Sequence, residues 1–246
     1  MKRPTILLLI SRKALLIIGI ILIITAMALF THSITLKVMK IQNETLFGKI
    51  IAIDAGHGGI DGGTHYGDII LEKDINLAIS IKLKEELINR GAIAIMTREI
   101  DDSLDDHIRN GSRHREDLNA RVKIINESNA DIFISIHVNY IRNQNKLGPL
   151  VFYHGSSDNS KALAEYLQTN LNNLSSYKEL GIKNSEKAVP GNYYILRNTK
   201  APGVIVETGY ISNDYDRKLL LEDDHQKEIA RLIGESIVQY FSKNNL

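Results

Sequence analysis

Four short apolar runs set what this chain can fold into: residues 49–54 (KIIAID), 92–96 (AIAIM), 132–137 (IFISIH) and 204–207 (VIVE). Each is too short for a helix and is apolar at consecutive rather than alternate positions, the pattern of strands buried on both faces of a parallel sheet. Longer stretches with a helical period stand between them. From Asp74, a good N-cap, to Gly91, a good C′ residue, INLAISIKLKEELINR reads as a helix, so residues 49–96 form a βαβ unit. Asp117 is placed to cap a helix reaching Asn129. Residues 150–153 (LVFY) follow a Gly-Pro turn as a further strand, and 159–174 and 223–241 read as helices. The charged stretch 98–116 has no sustained apolar period and is expected to be a surface loop. The expected fold class is α/β, a single three-layer domain with a mostly parallel sheet flanked by helices on both faces.

A different constraint governs the N-terminus. Residues 14–30 (ALLIIGIILIITAMALF) are uninterruptedly apolar or weakly polar, and Lys2, Arg3, Arg12 and Lys13 precede them. Flanking positive charge holds an N-terminus in the cytoplasm and sends the following chain across the membrane. At about 1.5 Å per residue the run barely spans a hydrocarbon core of roughly 30 Å, so it lies between a short anchor and a signal-peptide core, and Ala26-Met27-Ala28 resembles a small-residue cleavage site. Residues 1–31 are therefore read as an N-terminal hydrophobic helix, a membrane anchor or signal segment, with 32–48 as a polar linker and 49–246 as the main folded domain. Either outcome places that domain outside the cytoplasm.

Charge and cysteine count narrow the chemistry. Residues 1–48 carry six Lys/Arg and one Glu, which leaves 24 basic against 28 acidic residues, a net of −4, for 49–246. The folded part has no basic excess for nucleic acid. Cys is absent, so disulfides, thiolate metal sites and cysteine nucleophiles are excluded together, and any metal must be held by His and carboxylates.

Four such residues stand at strand ends or in the turns that follow: His57, Glu72, His137 and Glu207. Open α/β sheets place their sites at the carboxyl ends of their strands. A Glu closing an apolar strand such as 204–207 needs a reason, because burying an unpaired carboxylate costs several kcal/mol on the order of magnitude. Two imidazoles and one carboxylate make a His₂Glu set that leaves one tetrahedral position of a zinc ion open, and the remaining Glu is free to carry protons. Those are the parts of an amide hydrolase.

The blocks around these residues are DAGHGG (54–59), LEKDIN (71–76), SIHVN (135–139) and VETGYISN (206–213). In this order they resemble the four blocks of the zinc-dependent N-acetylmuramoyl-L-alanine amidase family, over roughly residues 49–242. The resemblance implies a sheet of about six strands, one Zn²⁺ per chain held by His57, Glu72 and His137, and Glu207 as general acid/base. The implied reaction is hydrolysis of the amide between N-acetylmuramic acid and L-alanine in peptidoglycan. The compact plan, with an N-terminal hydrophobic segment and no wall-binding repeats, is similar to the germination-specific amidases that act on spore cortex.

Two further residues are candidate substrate contacts. Asn139 follows His137 by two on a strand and shares its face, with a strand-end cap as the alternative. Arg197 resembles family segments that meet a peptide carboxylate, with a solvated surface Arg as the alternative. Of the remaining histidines, His65 is the one placed to reach the site, and His32, His107, His114, His154 and His225 are read as surface residues. An inactive wall-binding or scaffolding module would be expected to have lost one of the four site residues, and all are present. A zinc exopeptidase needs the same ligand chemistry, and only the four blocks separate it from an amidase. Without wall-targeting repeats, localisation is expected from the membrane segment or from an extracytoplasmic activating or localising protein.

Overall fold

The computed structural model describes residues 11–44, 46–105, 112–179, 181–182 and 184–244; Lys2, Arg3 and His107 lie outside them. The chain divides into two compact units, residues 1–43 and 44–246. In the first, helix α1 (Arg12–Glu44) has an apolar section, Arg12–Ile34, long enough to cross a membrane, with a mean hydropathy of 2.8. The helix runs on through most of the stretch read as a linker, and Leu46 is already buried in the core of the second unit.

That unit opens with β1 (Ile50–Ala55), then the hairpin β2 (His65–Tyr66) and β3 (Ile70–Leu71), α2 (Glu72–Asn89), β4 (Ile93–Met96) and α3 (Arg113–Glu127). It continues with β5 (Ile132–Asn139), β6 (Leu150–Tyr153), α4 (Asp158–Leu171), α5 (Ser175–Glu179), β7 (Val189–Pro190) and α6 (Tyr194–Asn198). Strand β8 (Gly203–Tyr210) and helices α7 (Asp214–Leu220) and α8 (Asp223–Asn244) complete it. The main sheet has six strands in the order β4-β1-β5-β8-β6-β7. The first four run parallel, and β6 lies antiparallel to β8. This is the mostly parallel α/β sheet that the apolar runs predict.

Side chains alternate between two cores, as a period of two requires. Ile51, Ile53, Ile134, Ile136, Val204 and Val206 face the larger one, where α2, α4 and α8 pack over the sheet. Ala52, Phe133 and Ile205 face a smaller core closed by Ile125 of α3 and Ile195 and Leu196 of α6. The same alternation carries Asp54, Ser135, His137 and Glu207 toward the smaller side, so the sheet delivers its polar residues to the thinner layer.

Two helix starts differ from expectation. Helix α2 begins at Glu72 with Leu71 as N-cap, and Asp74 lies in its first turn, where a negative charge suits the helix dipole. Helix α3 is capped by Ser112, whose hydroxyl accepts from Arg115 N, and Asp117 instead pairs with Arg121 one turn on. Nor is 98–116 simply a surface loop: Arg98, Leu104 and Asp105 are buried. Within it Arg98 donates to main-chain carbonyls and Asp105 accepts from Ser103 and Arg113, which a hydropathy pattern does not register.

Asp216 fastens the antiparallel side of the sheet. Fully enclosed, it accepts hydrogen bonds from Gly148 N (2.9 Å), Tyr210 N (2.7 Å) and Tyr177 Oη (2.9 Å), tying the approach to β6 to the end of β8. Removing the acceptor leaves three buried donors unmatched. Asp216→Ala is therefore expected to lose about 3 kcal/mol or more in urea unfolding, at roughly 1–3 kcal/mol per orphaned group, and Asp216→Asn less. A loss below about 1 kcal/mol for the alanine variant would contradict this role.

Candidate active site

His57 sits in the loop just after β1, in the left-handed region at φ 60°. Glu72 is the first residue of α2 and is buried. His137 and Glu207 are register partners on the adjacent parallel strands β5 and β8. The fold thus gathers all four on one end of the sheet, although 15 to 70 residues of sequence separate neighbours.

Glu72 is the centre of the group. Its Oε1 lies 3.3 Å from His57 Nε2 and 3.0 Å from His137 Nδ1, and it also accepts from Val138 N at 3.0 Å and Asn76 Nδ2 at 3.2 Å. Its Oε2 accepts from Thr64 N at 2.7 Å. Burial alone would raise this carboxyl, but the hydrogen bonds and charges of His137 and His57 hold it well below the ordinary carboxylate range. The ligand atoms of His57, Glu72 and His137 all lie within 4.8 Å of one another, a spacing that could hold one metal ion. The two rings meet edge to face, 5.0 Å between centroids, so both can aim a nitrogen at a common point.

Asp61 fixes the direction of His57. Its Oδ2 lies 2.8 Å from Nδ1, which leaves Nε2 facing Glu72, the arrangement in which a carboxylate orients a metal-binding imidazole. The turn that brings Asp61 back depends on Gly63, at φ 68°: a Cβ there would meet Glu72 Oε2 at 2.6 Å and His57 Cδ2 at 2.7 Å. Burial disfavours charge on His57, but the hydrogen bonds to Asp61 and Glu72 outweigh it and push the imidazole up to about 10.

Glu207 differs from Glu72. The residue is partly exposed, yet its Oε2 is fully enclosed and has no hydrogen-bond partner among the described residues. Burial pushes it up to about 7, with the nearby histidines opposing and Glu72 adding to the rise. It lies on the wall of a cavity of about 330 Å³ that also reaches His57, His137, Asp61 and Arg121. His114, Asn192, Tyr193 and Ile195 close the other side.

The remaining candidates lie elsewhere. Asn139, Arg197 and His65 are outside the lining of this cavity, and Arg197 and His65 are exposed. Asn139 follows a register shift in the β5–β8 pairing and accepts from Ile211 N through its carbonyl. His225 is buried rather than on the surface, with Ser176 Oγ 3.1 Å from its Nδ1, and His114 lines the cavity.

Residues 51–239 match the N-acetylmuramoyl-L-alanine amidase family, Amidase_3. The chain belongs to that family. It is 38% identical over 201 residues to the germination-specific N-acetylmuramoyl-L-alanine amidase of Bacillus subtilis (strain 168), covering 80% of this chain and 82% of that one. The structure of the CwlD amidase from Clostridioides difficile, solved in complex with the GerS lipoprotein, is 36% identical with a TM-score of 0.72, covering 80% of this chain and all of that one. The catalytic domain of the amidase CwlV from Bacillus (Paenibacillus) polymyxa is 28% identical with a TM-score of 0.64, covering 78% of this chain and 98% of that one. The amidase is thus similar to a germination-specific member of its family over most of its length.

The raised Glu207 gives the amidase a pH signature. A folded value of about 7 against an ordinary 4.5 means that the stability it confers is complete below 4.5 and is lost as pH rises through about 7. His57, raised from 6.5 to about 10, loses its contribution later, above 6.5. With EDTA present, Glu207→Gln is therefore expected to gain on wild type by up to about 3 kcal/mol between pH 4.5 and 8, read from urea unfolding. Parallel pH curves for the two proteins would contradict the unpartnered burial of this carboxylate.

Proposed function

We propose that the amidase is a zinc enzyme of the spore cortex, in which His57, Glu72 and His137 hold the metal and Glu207 carries protons during hydrolysis of the N-acetylmuramoyl-L-alanine amide. The observation that carries the reading is the contrast between the two glutamates. Glu72 is bound on both oxygens and packed between two imidazoles, whereas Glu207, in register with His137, has an enclosed oxygen with no hydrogen-bond partner among the described residues. A His₂Glu donor set with a carboxylate left over beside it fits a catalytic zinc site. Bound there, zinc would supply Lewis-acid polarisation of the scissile carbonyl.

The chain's own residues account for the rest. Glu207, pushed up to about 7, is matched to neutral pH for moving a proton in both directions. As carboxylate it takes a proton from the attacking water while the new C–O bond forms. As carboxylic acid it returns that proton to the alanine nitrogen while the C–N bond breaks, leaving a muramic lactyl carboxylate and a free stem peptide. Asp61 keeps His57 facing the cluster, and the apolar wall at Ile195 and Ile205 limits water at the reacting bond.

The cortex role draws on the relatives, one named germination-specific and one solved with a lipoprotein. Helix α1, apolar over Arg12–Ile34, supports a membrane-held or secreted enzyme acting outside the cytoplasm, and an extracytoplasmic lipoprotein is the class of partner proposed for it.

Mass spectrometry of purified peptidoglycan treated with the full-length enzyme in detergent tests the reading. The expected product is intact stem peptide beginning with L-alanine, lost when EDTA is added and restored by zinc. Glu207→Gln is expected to lower the rate by about 10²–10⁴ with metal still bound, whereas His57→Ala and His137→Ala lose the metal as well. Near-wild-type turnover by Glu207→Gln, or release of any other amino terminus, would contradict it.

A further inference from the structure

Arg98 is buried at 4% exposure in a segment whose composition reads as surface, and its hydrogen bonds among the described residues all go to main-chain carbonyls. Nε donates to Ala55 O at 2.9 Å, Nη2 to Gly56 O at 3.1 Å and to Lys73 O at 2.8 Å, and Nη1 to Ile100 O at 3.1 Å. The carboxylates that offset its burial, Asp54, Asp101 and Asp117, act on it only through space. A guanidinium placed in the interior without a hydrogen-bonded carboxylate is a costly choice for stability alone.

What the fork holds explains the choice. Gly56 O belongs to the peptide plane just before His57, and Lys73 O to the residue just after Glu72. A single planar group therefore spans the backbones of two of the three clustered side chains. On the far side of His57, Arg121 Nη2 donates to His57 O at 2.7 Å, while Arg121 is itself anchored by Asp54 and Asp117. Orienting the planes on either side of a residue fixes its φ and ψ, and His57 occupies the left-handed region that a residue with a Cβ adopts only when its surroundings impose it. Gly58 packs directly on Arg98: a Cβ there would stand 2.9 Å from Nε, at a φ of 147°.

We propose that Arg98 is a positioning residue of the metal site, locking the main chain before His57 to the first turn of α2 so that the His57 and Glu72 side chains keep their mutual geometry. The inference rests on the reading of His57, Glu72 and His137 as metal ligands. Lysine keeps the charge but has no planar fork, so it cannot hold these four carbonyls at their angles.

The test is cobalt(II) binding to the full-length protein in detergent, followed by its visible absorption and by competition with a chelator, alongside thermal unfolding in EDTA. Arg98→Lys is expected to weaken cobalt affinity by about 10–100-fold. It should also shrink the rise in Tm that saturating cobalt gives wild type, by more than it lowers the Tm in EDTA. A purely structural arginine would instead lower the Tm in EDTA and leave the affinity of the folded protein unchanged, which would overturn the proposal. Should Arg98→Lys fail to fold, Arg98→Ala with added methylguanidinium takes its place. Recovery of fold and cobalt affinity together supports the proposal, and recovery of fold alone, or of neither, overturns it. Absence of cobalt binding by wild type would overturn the metal reading itself and this inference with it.

Discussion

The parallel pairing of β5 with its two neighbours sets the geometry on which the site depends. On one side Asp54 is register partner to Ser135, and on the other His137 is register partner to Glu207. Because successive side chains on a strand alternate faces, Ser135 and His137 point the same way, toward the layer of α3 and α6. A slip of one residue in either pairing would turn the polar set into the larger apolar core, so the hydrophobic pattern that specifies the register also specifies the site. The pairing shifts immediately after His137, and chains often place such irregularities beside functional residues.

Three carboxylates at this end of the sheet show how partners decide what a charge does. Asp54, which burial would otherwise raise, is held down at about 2 by the Arg121 guanidinium and the Ser135 hydroxyl, and serves as an anchor. Glu72 sits among imidazoles and main-chain donors and stays ionised. Glu207, whose enclosed oxygen meets no donor among the described residues, moves up to about 7. The same side-chain chemistry thus yields a structural ion, a ligand and a proton carrier.

Most of the sheet was legible because consecutive apolar residues leave few alternatives: β1, β4, β5, β6 and β8 fall where the runs lie, and α4 and α8 within a few residues of the period. His57, Glu72, His137 and Glu207 were legible as polar residues at the ends of those runs. Asp54 ends an apolar run just as Glu207 does, and a buried carboxylate needs a partner at either position. Asp61, four residues past His57 in a glycine-rich turn, left a fainter trace. Arg98 and Arg121 left none, since a guanidinium that turns inward to carbonyls has the same one-dimensional signature as one facing water. The start of α2 was hidden because Leu71, which offers no side-chain cap, precedes the helix, and that of α3 because Asp117 is as good a capping residue as Ser112 but is engaged by Arg121. Arg197 drew attention by resemblance alone, and nothing in its local pattern fixed where it would point.

The central claim is that one metal ion sits among His57, Glu72 and His137 with Glu207 beside it and not bound to it. An anomalous difference map collected at the zinc absorption edge, from crystals of the full-length protein grown with zinc, tests this most directly. The account predicts one strong peak per chain at about 2.0–2.2 Å from an atom of each of the three residues, with the Glu207 carboxylate outside bonding distance. A peak coordinated by Glu207 in place of Glu72, or zinc bound only elsewhere on the chain, would contradict it.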